Sequence, residues 1–175
     1  VALKLVSADA SHKTEVGGVK IGLADSAAVV EAATDMQTRL ESKIKIDGYL
    51  VQEMVDGLEI IVGFREDPQY GPFVVVGLGG VYVEVLNDTA LRLLPATSDD
   101  IKEMIAELRS APLFNEFRGQ PARDTDALAE AVSALGEMFL ELRPWLSDLE
   151  INPLIVGSTG QGVRAVDVRP VLRSH

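Results

Sequence analysis

Short apolar runs separated by turn-forming residues dominate the chain, which predicts a protein rich in β-strands. The runs that we assign to strands cover residues 1–6, 16–23, 49–55, 58–64, 73–76, 81–86, 149–156 and 163–168. Asp56 and Gly57 stand between two of these runs, and that dipeptide predicts a tight hairpin. The last two runs are joined by the glycine-rich residues 157–162, which predicts a second hairpin.

Three other stretches place apolar residues three and four positions apart, and this spacing predicts helices. Each follows residue types that cap helix N-termini, namely Asp25 or Ser26, Thr97 or Ser98, and Asp124 or Thr125. In the first helix the apolar spacing continues as far as Ile44. Since helices interrupt strands that are mostly joined by tight turns, we predict an α+β fold with a largely antiparallel sheet flanked by helices.

Composition narrows the classes of function. The 175 residues include 16 basic and 27 acidic side chains, for a net charge of −11, and no cysteine. The absence of cysteine excludes disulfides, thiolate metal sites and cysteine nucleophiles, and a reducing cytoplasm is the default compartment. The acidic surplus argues against nucleic-acid binding, and no apolar run approaches the roughly 20 residues of a membrane span. We therefore expect a cytoplasmic protein with neither nucleic acid nor membrane as partner.

The last predicted hairpin brings together polar side chains. Its loop is centred between Thr159 and Gly160, which places Asn152 opposite Asp167, with Glu150 two residues earlier on the same face as Asn152. Carboxylate and amide oxygens are ligands that suit Mg²⁺. In the alternative interpretation Asn152 only ends a strand and Asp167 pairs with a surface arginine, and periodicity alone favours this alternative.

A second candidate is the segment that leads into the strand at residues 16–23. The adjacent Gly17 and Gly18 allow backbone N–H groups to approach a phosphate, and Lys13 would add positive charge. A glycine pair equally suits any turn before a strand, and a lone histidine such as His12 is usually a surface or packing residue. In a chemical role His12 would be a nucleophile or a proton carrier.

Taken together, these segments resemble the ATP-grasp domain of NDP-forming acyl-CoA synthetases. That family includes ADP-forming acetyl-CoA synthetase, whose β subunit is of this type, and succinyl-CoA synthetase is a more distant relative. The segments that carry the resemblance are VALKL with Lys4, HKTEVGGV with His12, VQEMV with Glu53, Glu59 with Gly63, GLGG at residues 77–80, LEINPL with Asn152, and VD with Asp167. Their order and spacing are jointly specific, and they extend from residue 1 to residue 172.

The resemblance implies an acid–thiol ligase that joins a carboxylic acid to CoA while ATP is converted to ADP and phosphate. It implies that His12 relays the phosphoryl group, that Glu150 steadies the phosphohistidine, and that Asn152 and Asp167 hold Mg²⁺. The groups expected to bind ATP or ADP are Lys4, Lys13, Gly17, Gly18, Gln52, Glu53, Met54 and Glu59. The partner implied is a CoA-ligase or CoA-binding domain or subunit of the same enzyme, and oligomerisation is left open.

ATP-grasp domains of this family usually carry several tens of residues before the strand that holds the phosphate lysine, so we expect residues 1–172 to be a partial domain with an incomplete first lobe. The chain begins at Val1 without methionine, and residues 173–175 resemble the remnant of an expression tag. Two alternatives remain: a non-catalytic ATP-grasp-like module of a regulatory protein such as a lysine acetyltransferase, and a biosynthetic ligase that works through an acyl phosphate without phosphohistidine.

Overall fold

The structure is a computed structural model that describes residues 1–7, 16–80, 87–117 and 119–173. The chain divides into two compact units, Val1–Val55 (unit 1) and Asp56–His175 (unit 2). The predicted strand at residues 81–86 lies outside the described residues. Wherever the structure describes paired strands, they run antiparallel, and helices pack on the sheets, so the predicted α+β fold is confirmed.

Unit 1 contains a small sheet and one long helix among its described residues. The strands are β1 (Ala2–Val6), β2 (Val19–Lys20) and β3 (Gly48–Gln52), in the order β2-β1-β3, and the helix is α1 (Ser26–Leu40). Alternation along β1 buries Leu3, which packs against Ala32 and Met36 of α1. One small apolar cluster therefore joins the helix to the sheet.

Helix α1 begins where the sequence predicted. The Asp25 carboxylate accepts a hydrogen bond from the Ala28 amide at 2.9 Å, which satisfies one of the unpaired N–H groups of the first turn. The helix ends at Leu40, four residues before the end of the apolar spacing. The amides of Lys43 and Ile44 both donate to the Leu40 carbonyl in the turn that follows.

The hairpin predicted at Asp56 and Gly57 is not formed. Strand β3 pairs with β1, whereas β4 (Leu58–Asp67) pairs with β5 (Gly71–Leu78) and β7 (Leu146–Val156). The dipeptide lies instead at the start of unit 2. A Cβ at Gly57 would come within 2.5 Å of the Val156 carbonyl oxygen, so this glycine allows the chain to approach β7 closely.

Unit 2 is built on a six-stranded sheet. Its remaining strands are β6 (Thr89–Leu93), β8 (Val163–Ala165) and β9 (Val168–Leu172), and its helices are α2 (Ser98–Glu107) and α3 (Thr125–Leu142), with a 3₁₀ turn at Ala111–Phe114. The sheet order is β6-β5-β4-β7-β8, and β9 pairs with β7 beside β8. Both helices begin at predicted caps, Thr97 for α2 and Asp124 for α3.

Among the described residues of unit 2, both helices pack on one face of this sheet, and we call the face that carries neither helix the open face. The covered face contributes fully buried residues such as Phe64, whose ring stacks on Phe139 of α3 at a centroid distance of 5.8 Å. Alternate positions along β4, including Glu59 and Gly63, therefore belong to the opposite face. Strand β6 was not predicted, because it is a short edge strand of five residues in which only Ala90 is buried.

Candidate functional site

The polar residues of β7 are sorted by alternation along the strand. Leu149 and Ile151 are buried in the core of unit 2, while Glu150 and Asn152 are only partly buried. A strand directs successive side chains to opposite faces, so Glu150 and Asn152 share the open face. This is the arrangement that the sequence predicted for these two residues.

Asn152 lies where the pairing of β7 changes on both of its edges. On one side, β8 pairs with the end of β7 and β9 with its beginning, and Val166 and Asp167 link the two short strands. The Asn152 backbone N–H donates to the Asp167 backbone carbonyl oxygen at 3.0 Å, so the two residues stand opposite each other as predicted. On the other side the β4–β7 register shifts between Ile60 and Val62. Such irregularities re-aim side chains and are common beside active sites.

The Asn152 side chain is held by the end of the glycine-rich segment that follows β5. The Gly80 amide donates to Asn152 Oδ1 at 3.1 Å, and the Gly79 amide donates to the Glu59 carbonyl oxygen at 2.8 Å. Gly80 has φ +64°, and a Cβ there would lie 1.8 Å from a Glu59 carboxylate oxygen. The predicted residues Glu59 and Asn152 thus both contact Gly80, and the positive φ at this position favours glycine.

The donor set of this region fits a magnesium ion. Asn152 offers an amide oxygen that is already oriented by a backbone N–H, and Asp167 is an exposed carboxylate on the neighbouring segment. Among the described residues there is no group of three or more His, Cys, Asp or Glu side chains placed to enclose a metal. Two oxygen ligands are what Mg²⁺ typically takes from a protein when water and substrate phosphates complete its octahedron.

Glu150 has a partner that sequence reasoning did not single out. Arg169 of β9 stands directly opposite Glu150, and its Nη2 donates to Glu150 Oε2 at 3.2 Å. The register that pairs Asn152 with Asp167 also pairs Glu150 with Arg169, so counting along the predicted hairpin could have found this arginine. The site therefore contains a cation beside its acidic groups.

Lys4 belongs to unit 1. It lies on β1 between the buried Leu3 and Leu5, is itself half-buried, and stands opposite Val19 of β2 and Leu50 of β3. Helix α1 covers the face of the small sheet that bears Leu3. Because side chains alternate along a strand, the Lys4 side chain lies on the other face. This agrees with the orientation predicted from sequence, and the role in phosphate binding stays a prediction.

The glycine pair of unit 1 has structural contacts of its own. The Gly18 carbonyl oxygen accepts from the Leu5 amide at 2.7 Å, and the Gly17 carbonyl oxygen accepts from Arg39 Nη2 at 3.3 Å. Arg39 is held in turn by Asp35, one helical turn earlier on α1. These bonds tie the turn before β2 to β1 and α1, which is the structural role that the sequence left open. Phosphate binding by Gly17 and Gly18 stays a prediction.

The predicted adenine-binding residues occupy the end of β3 and the chain after it. Gln52 is the last residue of β3 and pairs with Ala2, while Glu53 and Met54 follow it as exposed residues outside any strand. The division between the two units falls just after them, at Val55 and Asp56. The other two predicted site residues, His12 and Lys13, lie outside the described residues.

Two buried carboxylates of unit 2 serve the fold. Burial alone would raise the pKa of Asp88, but hydrogen bonds from Ser110 and Arg109, together with the charge of Arg109, outweigh it and lower that pKa. Asp124 accepts from the amides of Gly162, Ala127 and Gly160, and these bonds lower its pKa despite the opposing effect of burial. Asp88 also lines a largely apolar pocket to which no predicted site residue contributes.

Comparison with known proteins gives a consistent result. A family model described as an ATP-grasp domain matches residues 1–172. The chain belongs to the ATP-grasp domain family. The prediction of an ATP-grasp domain from an NDP-forming acyl-CoA synthetase is confirmed by the relatives of this domain described below.

Two curated relatives of this ATP-grasp domain are ADP-forming acetate–CoA ligases. It is 39% identical over 98% of its length to acetate–CoA ligase [ADP-forming] I of Archaeoglobus fulgidus, of which it spans 25%. It is 38% identical, again over 98% of its length, to subunit β of acetate–CoA ligase [ADP-forming] I of Pyrococcus furiosus, of which it spans 75%. The ATP-grasp domain thus spans a quarter of one relative and three quarters of the other.

A solved structure supports the same assignment. The chain superposes with a TM-score of 0.83 and 32% identity on the dinucleotide-forming acetyl-coenzyme A synthetase 1 of Ca. Korarchaeum cryptofilum, covering 99% of this chain and 76% of that one. That structure contains coenzyme A and Mg-AMPPCP, and its phosphohistidine segment points towards the nucleotide binding site. Within the described part of our chain, no helix is both long and apolar enough to cross a membrane.

Proposed function

We propose that this ATP-grasp domain binds ATP or ADP and relays a phosphoryl group within an ADP-forming acyl-CoA synthetase. The whole enzyme would interconvert a carboxylic acid, CoA and ATP with an acyl-CoA, ADP and phosphate. The observation that carries the proposal is the Asn152 amide oxygen, which the Gly80 backbone N–H orients, in a residue that stands opposite Asp167. The similarity to a β subunit of such a ligase supports it.

The chemical step proposed for this chain is phosphoryl transfer between the nucleotide and the His12 imidazole. In the direction of ATP use, an unprotonated imidazole nitrogen forms a bond to the γ-phosphorus. The bond from that phosphorus to the β–γ bridging oxygen breaks, and ADP leaves with the electron pair. Because such a reaction depends mainly on positioning and on neutralisation of charge, the surrounding residues matter more than any further covalent chemistry.

Each remaining site residue has a defined task in this proposal. Lys4 and the backbone of Gly17 and Gly18 bind the phosphates, with Lys13 adding positive charge close to His12. The backbone at residues 52–54 receives the adenine, and Glu59 lies near the ribose. Asn152 and Asp167 hold Mg²⁺, which when bound offsets the charge of the phosphates. The Glu150 carboxylate accepts a hydrogen bond from the imidazole N–H that remains after His12 is phosphorylated.

The complete reaction requires a part that supplies CoA and the acyl group. We infer a CoA-ligase or CoA-binding domain or subunit as partner, which agrees with the quarter of the A. fulgidus ligase that this chain spans. We further propose that residues 1–172 form one partial ATP-grasp domain and that the protein acts in the cytoplasm.

Titration of the full-length protein with ADP tests the metal ligands. We expect Mg²⁺ to strengthen ADP binding to the wild type, and Asp167→Ala to reduce this gain at least about tenfold. Asp148→Ala is the matched control, since Asp148 lies on the same strand and pairs with Arg65 at 2.9 Å. Equal Mg²⁺ dependence in the wild type and in Asp167→Ala would contradict the proposed site.

A further inference from the structure

The open face of unit 2 carries two cross-strand ion pairs of the same kind. Arg169 pairs with Glu150 across β9 and β7 at 3.2 Å, and Arg65 pairs with Asp148 across β4 and β7 at 2.9 Å. Their side chains are similarly exposed, at 48% for Arg169 and 57% for Arg65. Ion pairs as exposed as these contribute little to stability. The two pairs therefore differ mainly in the residues that neighbour each of them.

Only the Arg169 pair adjoins the proposed metal ligands. Asp167 precedes Arg169 by two residues and Asn152 follows Glu150 by two, so one step along the ladder, about 7 Å, separates the pair from the ligands. Arg65 pairs with Asp148, which is two residues further from Asn152 than Glu150 is. A phosphate held beside Asn152 and Asp167 is therefore within reach of Arg169.

Arg169 retains donors for such a phosphate. A guanidinium has five N–H donors, and Arg169 uses one of them on Glu150 among the residues that the structure describes. Glu150 limits the freedom of the side chain without covering it. The planar guanidinium of Arg169 is already oriented and half-exposed, and its N–H groups match the geometry of the oxygens of a phosphoryl group.

The charges on the open face also favour phosphate binding by Arg169. The open face bears four carboxylates in a chain with a net charge of −11, and two of them pair with arginines. The carboxylates belong to Glu59, Asp148, Glu150 and Asp167. A polyphosphate placed among them would be repelled, and Glu150 is the carboxylate that is proposed to approach the phosphohistidine. Arg169 compensates that carboxylate and supplies a positive group where the phosphoryl group must pass.

We propose that Arg169 binds the oxygens of the transferring phosphoryl group and that Glu150 holds it in position. This inference rests on the phosphoryl relay proposed above and adds a binding residue to it. Arg169 acts on the phosphoryl group itself, so its contribution is distinct from that of Glu150. Replacement of Arg169 by lysine would preserve the positive charge but remove the planar guanidinium and its paired N–H donors.

The test uses the full-length protein and rapid-quench measurement of phosphate transfer from γ-labelled ATP to His12. We expect Arg169→Ala to slow transfer about 100-fold, Arg169→Lys to recover part of the rate, and Arg65→Ala to stay within threefold of the wild type. Affinity for AMP, which lacks the transferred group, should be unchanged in Arg169→Ala. Unfolding midpoints of the three variants show whether each is folded.

A second comparison separates direct binding from an effect through Glu150. In the Glu150→Gln background, Arg169→Ala should still slow transfer by at least tenfold. The proposal is overturned if Arg169→Ala transfers at the wild-type rate, if its effect vanishes in the Glu150→Gln background, or if Arg65→Ala is impaired equally. Absence of transfer to His12 in the wild type would instead refute the relay itself.

Discussion

The two units of this chain differ in how much core supports their share of the proposed site. Unit 1 buries Leu3, Ala32 and Met36 in one small cluster, whereas the cluster in unit 2 extends from β4 and β5 to both of its helices. The two units also carry different parts of the proposed site, because Lys4 and the glycine turn belong to unit 1, and Asn152 and Asp167 belong to unit 2. The residues proposed to bind the phosphates therefore belong to a unit with a small described core, and the proposed metal ligands belong to a unit with a larger one.

The largest loss of stability should follow a substitution that creates a cavity in the large apolar core of unit 2. Phe64 is fully buried and stacked on Phe139, so Phe64→Ala should lower the free energy of unfolding by about 3–5 kcal/mol. Chemical denaturation measures the loss. The matched control is Phe117→Ala, at a phenylalanine that is 51% exposed, which should change stability by less than about 1 kcal/mol. Similar losses in both variants would contradict the account of the core.

A substitution of Met36 tests the small apolar cluster of unit 1 in the same way. Met36→Ala should cost about 2–4 kcal/mol, and we expect the damage to stay within unit 1 because the affected cluster contains no residue of unit 2. Hydrogen exchange should accelerate at the amides of β1 and not at those of β4. Met138→Ala, on the exposed side of α3, is the control. Equal acceleration in β1 and β4 would show that the two units unfold together.

Asp88 should make a pH-dependent contribution to the free energy of unfolding of unit 2. Because its pKa is lower in the folded state, its stabilising effect is complete above the unfolded value of about 3.9 and is lost as the pH falls through the folded value. Asp88→Asn should therefore lower the free energy of unfolding by about 2 kcal/mol at pH 6. The difference from the wild type should shrink below pH 4, and a constant difference across that range would contradict the assignment.

The smallest of these effects concerns the proposed metal ligands and not the fold. Gly80→Ala would place a side chain on a backbone with φ +64° and against the Glu59 carboxylate, and we expect the Gly80 amide that orients Asn152 to shift. We expect affinity for ADP in the presence of Mg²⁺ to fall about tenfold in the full-length protein. Gly71→Ala is the control, since Gly71 also has a positive φ and its Cβ would meet nothing within 4 Å. Equal losses in both variants would attribute the effect to backbone strain alone.

The parts of the site that could be predicted are those fixed by local geometry. A short loop sets the register of the hairpin that contains β7, so counting along the chain placed Asn152 opposite Asp167, and the same counting reaches Arg169. The contact between Gly80 and Asn152 joins residues 72 positions apart and depends on how β4, β5 and β7 assemble. No local pattern encodes that contact.

The wrong hairpin at Asp56 and Gly57 has a related cause. A turn dipeptide between two β-rich runs does not specify which strands those runs will join, and here β3 and β4 belong to different units. Strand β6 was missed because it is a short edge strand in which only one residue, Ala90, is buried. The helices were predicted well, because their caps and apolar spacing are encoded within a few turns.

The central claim is that this chain carries a phosphoryl group on His12. The most direct measurement incubates the full-length protein with γ-labelled ATP and Mg²⁺ and then maps acid-labile phosphate along the sequence. We expect label on His12 in the wild type, none in His12→Ala, and a strongly reduced amount when Asn152 and Asp167 are both replaced by alanine. Absence of label from His12 in a protein that still forms acyl-CoA from ATP would contradict it.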